Sequence, residues 1–232
     1  MILTTIEDAK RKAILRTLEP IKNGWVIGLG SGTTMALMVT ELSRFAKGRR
    51  LELSVVPTSL QMENLAMLHG LRIQSLNEVA AIDYAIDGAD QVETPSLNLI
   101  KGGGGAMFRE KVVDSAAHRV AIVIDERKLT KHLGQKQPIP LEVSPFAQRF
   151  VQTCLTRMGG SARLREGIGK VGPIITDSGN LILDADFGKL ENPPALERRL
   201  KMVPGLVETG LFLNVADIVY VARNDGSVDV LD

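Results

Sequence analysis

Apolar residues return at helical spacing at Ile6, Ala9, Ala13, Ile14 and Leu18, which predicts a first helix. Thr5 and Asp8 are placed as a capping pair at its start, and Pro20 lies beyond its end. The compact apolar stretch Trp25-Val26-Ile27 predicts a strand that runs into Gly28-Leu29-Gly30-Ser31-Gly32-Thr33-Thr34, after which a helical pattern extends from Met35 to Phe45. The alternation continues with a strand over 53–56, a helix over 59–69 and strands over 71–73 and 84–86. Strands separated by helices predict a parallel sheet, because parallel neighbours need a long return connection.

Past a strand at 97–100, the run Lys101-Gly102-Gly103-Gly104-Gly105-Ala106 leads into a helix over 107–117 and a strand over 120–124. The pattern then changes. Pro138, Pro140 and Pro145 break the chain before a helix over 146–158, which Gly159-Gly160 ends in the manner of a left-handed cap. Ile174-Ile175-Thr176, the turn Asp177-Ser178-Gly179-Asn180 and Leu181-Ile182-Leu183 read as a hairpin with a longer loop, followed by a helix near 194–201. The apolar segments at 211–213 and 218–221 are expected to return to the main sheet as strands. These patterns divide the chain into a larger domain, 1–132 plus 207–232, and a smaller α+β domain, 133–206.

Charge removes several classes of partner. With 28 basic and 27 acidic side chains the net charge is +1, so no global field draws in nucleic acid or an anionic membrane, and any anion must be caught locally. The one cysteine, Cys154, has no intrachain partner and no CxxC neighbour. His69, His118 and His132 lack metal-ligand spacing and receive no catalytic role, and Trp25 belongs to a strand core. No apolar run approaches the roughly 18 residues of a membrane helix. The mixed-charge N-terminus lacks a signal-peptide core, so a cytoplasmic location is expected.

In an open α/β sheet, ligands bind beyond the carboxyl ends of the strands, and three loops there carry chemistry. Gly30-Ser31-Gly32-Thr33-Thr34 offers backbone N–H groups and hydroxyls at a helix N-terminus, which suits a phosphate. It lacks the lysine of a nucleotide P-loop and does not match GxGxxG, which weakens an ATP or NAD reading. Asp87-Gly88-Ala89-Asp90 puts two carboxylates at a strand end, where a close pair can raise one pKa for acid–base work; a solvated turn is the plain alternative. Four glycines after Lys101 imply a backbone that approaches something closely or adopts positive φ. Arg109-Glu110-Lys111 then opens the following helix, so a base, a cation and a backbone donor array are expected to converge; the plain alternative is a helix-surface charge run.

GLGSGTT, DGAD, KGGGGA and REK, in this order and spacing, with GLF and ADIV near the C-terminus, resemble the type A ribose-5-phosphate isomerase family over nearly the whole chain. The resemblance implies a Rossmann-like, mostly parallel α/β sheet with a smaller α+β, ferredoxin-like, inserted domain. It implies an aldose–ketose isomerase interconverting D-ribose 5-phosphate and D-ribulose 5-phosphate through an enediolate, in the non-oxidative branch of the pentose phosphate pathway. No cofactor and no metal are implied, and neither nucleic acid nor membrane is a partner. The small-molecule partner is a sugar phosphate, and the assembly a homodimer or homotetramer.

By the same resemblance Glu110 matches the general base and Lys101 the cation near the enediolate oxygens. Asp87 would assist ring opening and Asp90 would bind sugar hydroxyls. The substrate-binding segments match Ser31, Gly32, Thr33 and Thr34, then Asp87, Gly88, Ala89 and Asp90, then Lys101, Gly102, Gly103 and Gly104, and finally Lys128. Lys10 is a weaker candidate for the phosphate, balanced by its reading as an exposed helix lysine. The chain departs from the family pattern at Ser31, where threonine is frequent, at Phe108, where a small polar residue is common, and by one additional residue between DGAD and KGGGG. A sugar-phosphate sensor on the same fold is the main rival, but a sensor needs no base such as Glu110.

Overall fold

The structure, a computed structural model, describes residues 6–169 and 171–232, so Thr5 of the expected first cap lies outside the described residues. Its elements begin with α1 (Ile6–Leu18), β1 (Val26–Leu29), α2 (Thr33–Arg49), β2 (Ser54–Pro57), α3 (Leu60–Leu68), β3 (Arg72–Ile73) and β4 (Tyr84–Asp87). Next come β5 (Gln91–Glu93), β6 (Leu99–Ile100), α4 (Met107–Ser115), β7 (Val120–Asp125) and β8 (Leu129–Thr130). After them stand β9 (Ile139–Val143), α5 (Gln148–Arg157), β10 (Ser161–Leu164), β11 (Leu181–Asp186), α6 (Pro193–Lys201) and β12 (Leu206–Thr209). β13 (Leu211–Phe212), β14 (Ile218–Ala222) and β15 (Val228–Leu231) complete the order. No described helix is long and apolar enough to cross a membrane.

Internal packing divides the chain into two compact units. One takes the chain up to Ala89, Arg109–Lys128 and Val215–Asp232; the other takes Asp90–Phe108 and Leu129–Asn214. The stretch 90–108, which patterning alone grouped with the larger domain, thus packs with the second unit. The cause is strand pairing: β5 and β6 pair antiparallel, β8 adds parallel to β5 and β13 antiparallel to β6, which closes a small four-stranded sheet.

The first unit is built on a seven-stranded sheet in the order β15-β14-β7-β4-β1-β2-β3. Its six inner and far strands run parallel, with β15 an antiparallel edge. Counted along this unit, the parallel order is 3-2-1-4-5-6, the doubly wound arrangement, with its reversal between β1 and β4. Both faces are covered, which explains the continuous apolar runs of these strands. Val55 joins Met38, Leu42 and Met62 in the core under α1, α2 and α3, whereas its neighbour Val56 joins Ile82 and Val113 of α4 on the other face. Gly28 lets α4 come close, since a Cβ there would stand 2.7 Å from Cγ1 of Val113.

In the second unit β9, α5, β10, β11, α6 and β12 form a βαββαβ sequence with the antiparallel order β10-β11-β9-β12, the ferredoxin-like arrangement. Leu141, Val143, Leu183 and Ala185 share a core with Val151, Leu155 and Leu200 from the two helices. β9 overturns the expectation that Pro140 breaks the chain, because Pro140 lies within a central strand opposite Asp184, whereas Pro138 stands just before that strand. Pro140 is tolerated at this point because its carbonyl, and so its N–H-less side, faces Gly210 just past the last β12 partner, where no ladder bond is lost.

Two further expectations change. The segment 174–176 is not a full hairpin arm: only Ile175 bridges Leu181, and Thr176 N–H donates to Asn180 O at 2.9 Å, so β10 takes the place beside β11. Of the two last apolar segments, only β14 returns to the main sheet; Leu211 and Phe212 pair with β6 in the second unit.

Candidate active site

Within the first unit, the switch point lies between the loops after β1 and β4, and the two are in contact. Gly30 N–H donates to Ile86 O at 2.9 Å, and a Cβ on Gly30 would stand 1.8 Å from Oδ1 of Asp87. Gly30 is therefore required by close approach, and the carboxylate of Asp87 occupies the space a side chain would need. Asp87 is fully buried, and its Oδ1 accepts from Gly88 N–H at 2.6 Å. Gly32, at φ 115°, supplies no side-chain cap to α2, so the loop presents the positive end of a 17-residue helix with backbone donors, an anion cradle carrying Thr33 and Thr34.

Glu110 stands in the first turn of α4 and is 4% exposed. Its Oε1 accepts from Ser31 N–H at 3.3 Å, which ties the carboxylate to the cradle although the two lie 79 residues apart. The Ser31 hydroxyl is 2.8 Å from Thr58 Oγ1 and donates to Ser59 Oγ at 2.7 Å. Thr58 and Ser59 escape sequence reading because hydroxyl residues after a strand look like an ordinary helix cap. Ser59 is indeed the cap of α3, accepting from Met62 N–H. The signal available was their position after β2, next to β1 in a parallel sheet.

β7 also ends at this edge of the sheet. Asp125 is gripped by Arg127, with Nε to Oδ1 at 2.8 Å and Nη2 to Oδ2 at 2.9 Å, and Lys10 Nζ lies 3.5 Å from its Oδ2. The Arg127 hydrogen bonds, opposed by burial and helped by Lys10, hold the Asp125 carboxyl at about 2. Lys128 is half-buried in the turn that follows. Lys10 is thus engaged by Asp125 and Glu7 at 3.4 Å rather than a freely exposed helix lysine.

The second unit holds the remaining expected residues. Lys101 is 3% exposed, its N–H donates to Gly210 O at 2.9 Å, and its Nζ lies 5.5 Å from the ring centre of Phe212. Gly210 is needed for that approach, since a Cβ would stand 2.3 Å from Lys101 O. Asp90 Oδ2 accepts from Gly103 N–H at 2.7 Å, and Asp90 N–H donates to Ile100 O at 2.9 Å, so Asp90 braces the glycine turn. Gly102 has φ 103°, and a side chain there would collide with Met107 at 2.6 Å. Gly104 has open space around it. The chain crosses from one unit to the other within Asp87-Gly88-Ala89-Asp90 and returns between Phe108 and Arg109.

Buried carboxylates beside the N-terminus of a helix at the switch point of a doubly wound sheet form the layout of an α/β enzyme. The family model for ribose 5-phosphate isomerase A (phosphoriboisomerase A) matches residues 54–226. The ribose-5-phosphate isomerase A of Methanothermobacter thermautotrophicus is 45% identical over 219 residues, covering 94% of this chain and 96% of its own. The solved structure of ribose 5-phosphate isomerase A from Methanocaldococcus jannaschii superposes with a TM-score of 0.93 at 42% identity, over 98% of this chain and all of that one. A solved D-ribose-5-phosphate isomerase in complex with phospho-erythronic acid gives a TM-score of 0.93 at 41% identity, over 97% and 98% of the two chains. The chain belongs to the type A ribose-5-phosphate isomerase family and is an enzyme of that class.

Proposed function

We propose that this chain interconverts D-ribose 5-phosphate and D-ribulose 5-phosphate through an enediolate, with Glu110 as the general base. The observation that carries the proposal is the Glu110 carboxylate, buried yet hydrogen-bonded to Ser31 N–H in the anion cradle. Isomerisation requires a proton to leave C2 and arrive at C1, and one carboxylate can serve both transfers if water is kept away. Asp87 assists opening of the sugar ring by moving a proton between ring oxygen and hydroxyl. Lys101 offsets the charge that develops on the enediolate oxygens, and Asp90 binds sugar hydroxyls. Ser31, Gly32, Thr33, Thr34, Gly88, Ala89, Gly102, Gly103, Gly104 and Lys128 complete the substrate contacts. The relative bound to phospho-erythronic acid supports this chemistry, since a planar carboxylate beside a hydroxylated carbon resembles an enediolate.

The test is turnover of ribose 5-phosphate without added metal or nucleotide, in the native protein and in Glu110→Gln. Native turnover with a loss of at least ~100-fold in the variant is the expected result. A folded native protein that binds the sugar phosphate without converting it would point instead to a sensor. The same reading carries a homodimer or homotetramer, to be measured by sedimentation, and a cytoplasmic role in the non-oxidative branch of the pentose phosphate pathway.

A further inference from the structure

The glycine turn after Lys101 is gripped from one side by an arginine that no motif singled out. Arg165 Nη1 donates to the carbonyl oxygens of both Gly102, at 2.8 Å, and Gly103, at 3.0 Å. The rest of its guanidinium is locked on Asp184 of β11: Nε donates to Oδ2 at 2.9 Å and Nη2 to Oδ1. A two-point carboxylate pair fixes the plane of the guanidinium, which a single contact would leave free to rotate. Strand alternation explains why the pair lies here. Leu181, Leu183 and Ala185 face the helices of the second unit. Ile182 and Asp184 therefore point to the opposite face, where Gly105 lies so close that a Cβ would stand 2.9 Å from Ile182 Cδ1.

The consequence follows from peptide geometry. A trans peptide directs its C=O and the next N–H to opposite sides. With the Gly102 carbonyl on Arg165, the Gly103 N–H of that peptide is turned to Asp90, where it is found at 2.7 Å. With the Gly103 carbonyl also on Arg165, the N–H of Gly104 must be turned away from the guanidinium as well. Four successive glycines have little conformational preference of their own, so an external grip decides where these donors point.

We propose that Arg165, braced by Asp184, is a positioning residue that aims the Gly104 N–H at a substrate oxygen. This rests on the isomerase reading, and it adds a specific claim about what organises the glycine turn. Misdirecting one preorganised donor lowers the rate of the chemical step by ~10–100-fold, with a smaller effect on ground-state binding.

The experiment is steady-state kinetics on ribose 5-phosphate for the native protein, Arg165→Met, Arg165→Lys and Asp184→Asn, with hydrogen exchange over residues 101–106. Thermal midpoints and exchange across Ile139–Val143 monitor folding. Expected results are a kcat loss of ~10–100-fold in Arg165→Met with KM changed less than ~3-fold, and faster exchange confined to the glycine turn. Arg165→Lys, which keeps the charge but not the fork, should fall in between, as should Asp184→Asn. The proposal is overturned if folded Arg165→Met keeps kcat within about twofold of native, or if its loss is recovered in proportion to the folded fraction on cooling. Absence of turnover in the native protein would overturn the isomerase reading instead, while altered exchange of the turn in Arg165→Met would still register the grip.

Discussion

The two glycine loops look alike in sequence but are held by different means. The loop after β1 is positioned by the sheet itself: β1 and β4 lie side by side, Gly30 has no room for a Cβ beside Asp87, and α2 starts at once. The loop after Lys101 leaves a strand of the small sheet, and side chains hold its middle: Asp90 takes the Gly103 N–H, and Arg165 takes two carbonyls. Glycine thus serves two ends. In the first loop it permits a close approach that regular structure imposes; in the second it gives a backbone that other residues can set.

The largest effect is expected at Gly30. Gly30→Ala places a methyl group inside the Asp87 carboxylate, and overpacking of this kind costs about 2 kcal/mol or more, a fall of roughly 5 °C or more in midpoint for a chain of this size. Activity should fall with it, because Asp87 must move; an unchanged midpoint would mean that the two strand ends can separate freely. Ser31→Ala removes a hydroxyl held by Thr58 and Ser59 and should cost about 1 kcal/mol, measured by denaturant unfolding. No change there would show that the frame of the first loop is backbone alone.

A smaller effect is expected from acid. The Asp125 carboxyl is held at about 2 by Arg127 and Lys10, against an ordinary value of 3.8. A depressed carboxylate contributes stability that is present above its ordinary value and is lost as the pH falls through about 2. The midpoint of the native protein should therefore drop more steeply over that window than that of Arg127→Gln, and parallel curves would contradict it. The smallest effect is at Gly104, where a Cβ meets nothing: Gly104→Ala should shift stability by no more than ~0.5 kcal/mol. A large destabilisation there would put the second loop under the same packing constraint as the first.

Tyr84 shows how far an apolar pattern can be read. Its place in a buried strand is evident from Tyr84-Ala85-Ile86, and burial, its largest influence, pushes its hydroxyl above the ordinary tyrosine range. The register of β4 against β1, which brings Asp87 under Gly30, has no counterpart in local sequence. The loops at the strand ends and the place of Glu110 in the first turn of a helix were legible because turns, helix starts and strand ends follow short-range rules. Arg165 was not, since its carbonyl partners lie 63 and 62 residues away. Pro140 was misread for the same reason: whether a missing N–H matters depends on where the neighbouring strand stops.

By itself, the sequence determined the order of strands and helices, the glycine-rich and acidic loops at the strand ends and the residue types placed on them, because periodicity and turn chemistry act over a few residues. Tertiary structure alone decided that 90–108 and Leu211–Phe212 pack with the second unit, that Ser31 meets Glu110, and that Arg165 and Asp184 grip the glycine turn. Those outcomes depend on strand pairing and side-chain contacts between segments far apart in the chain, and no local pattern encodes which distant partner will be there.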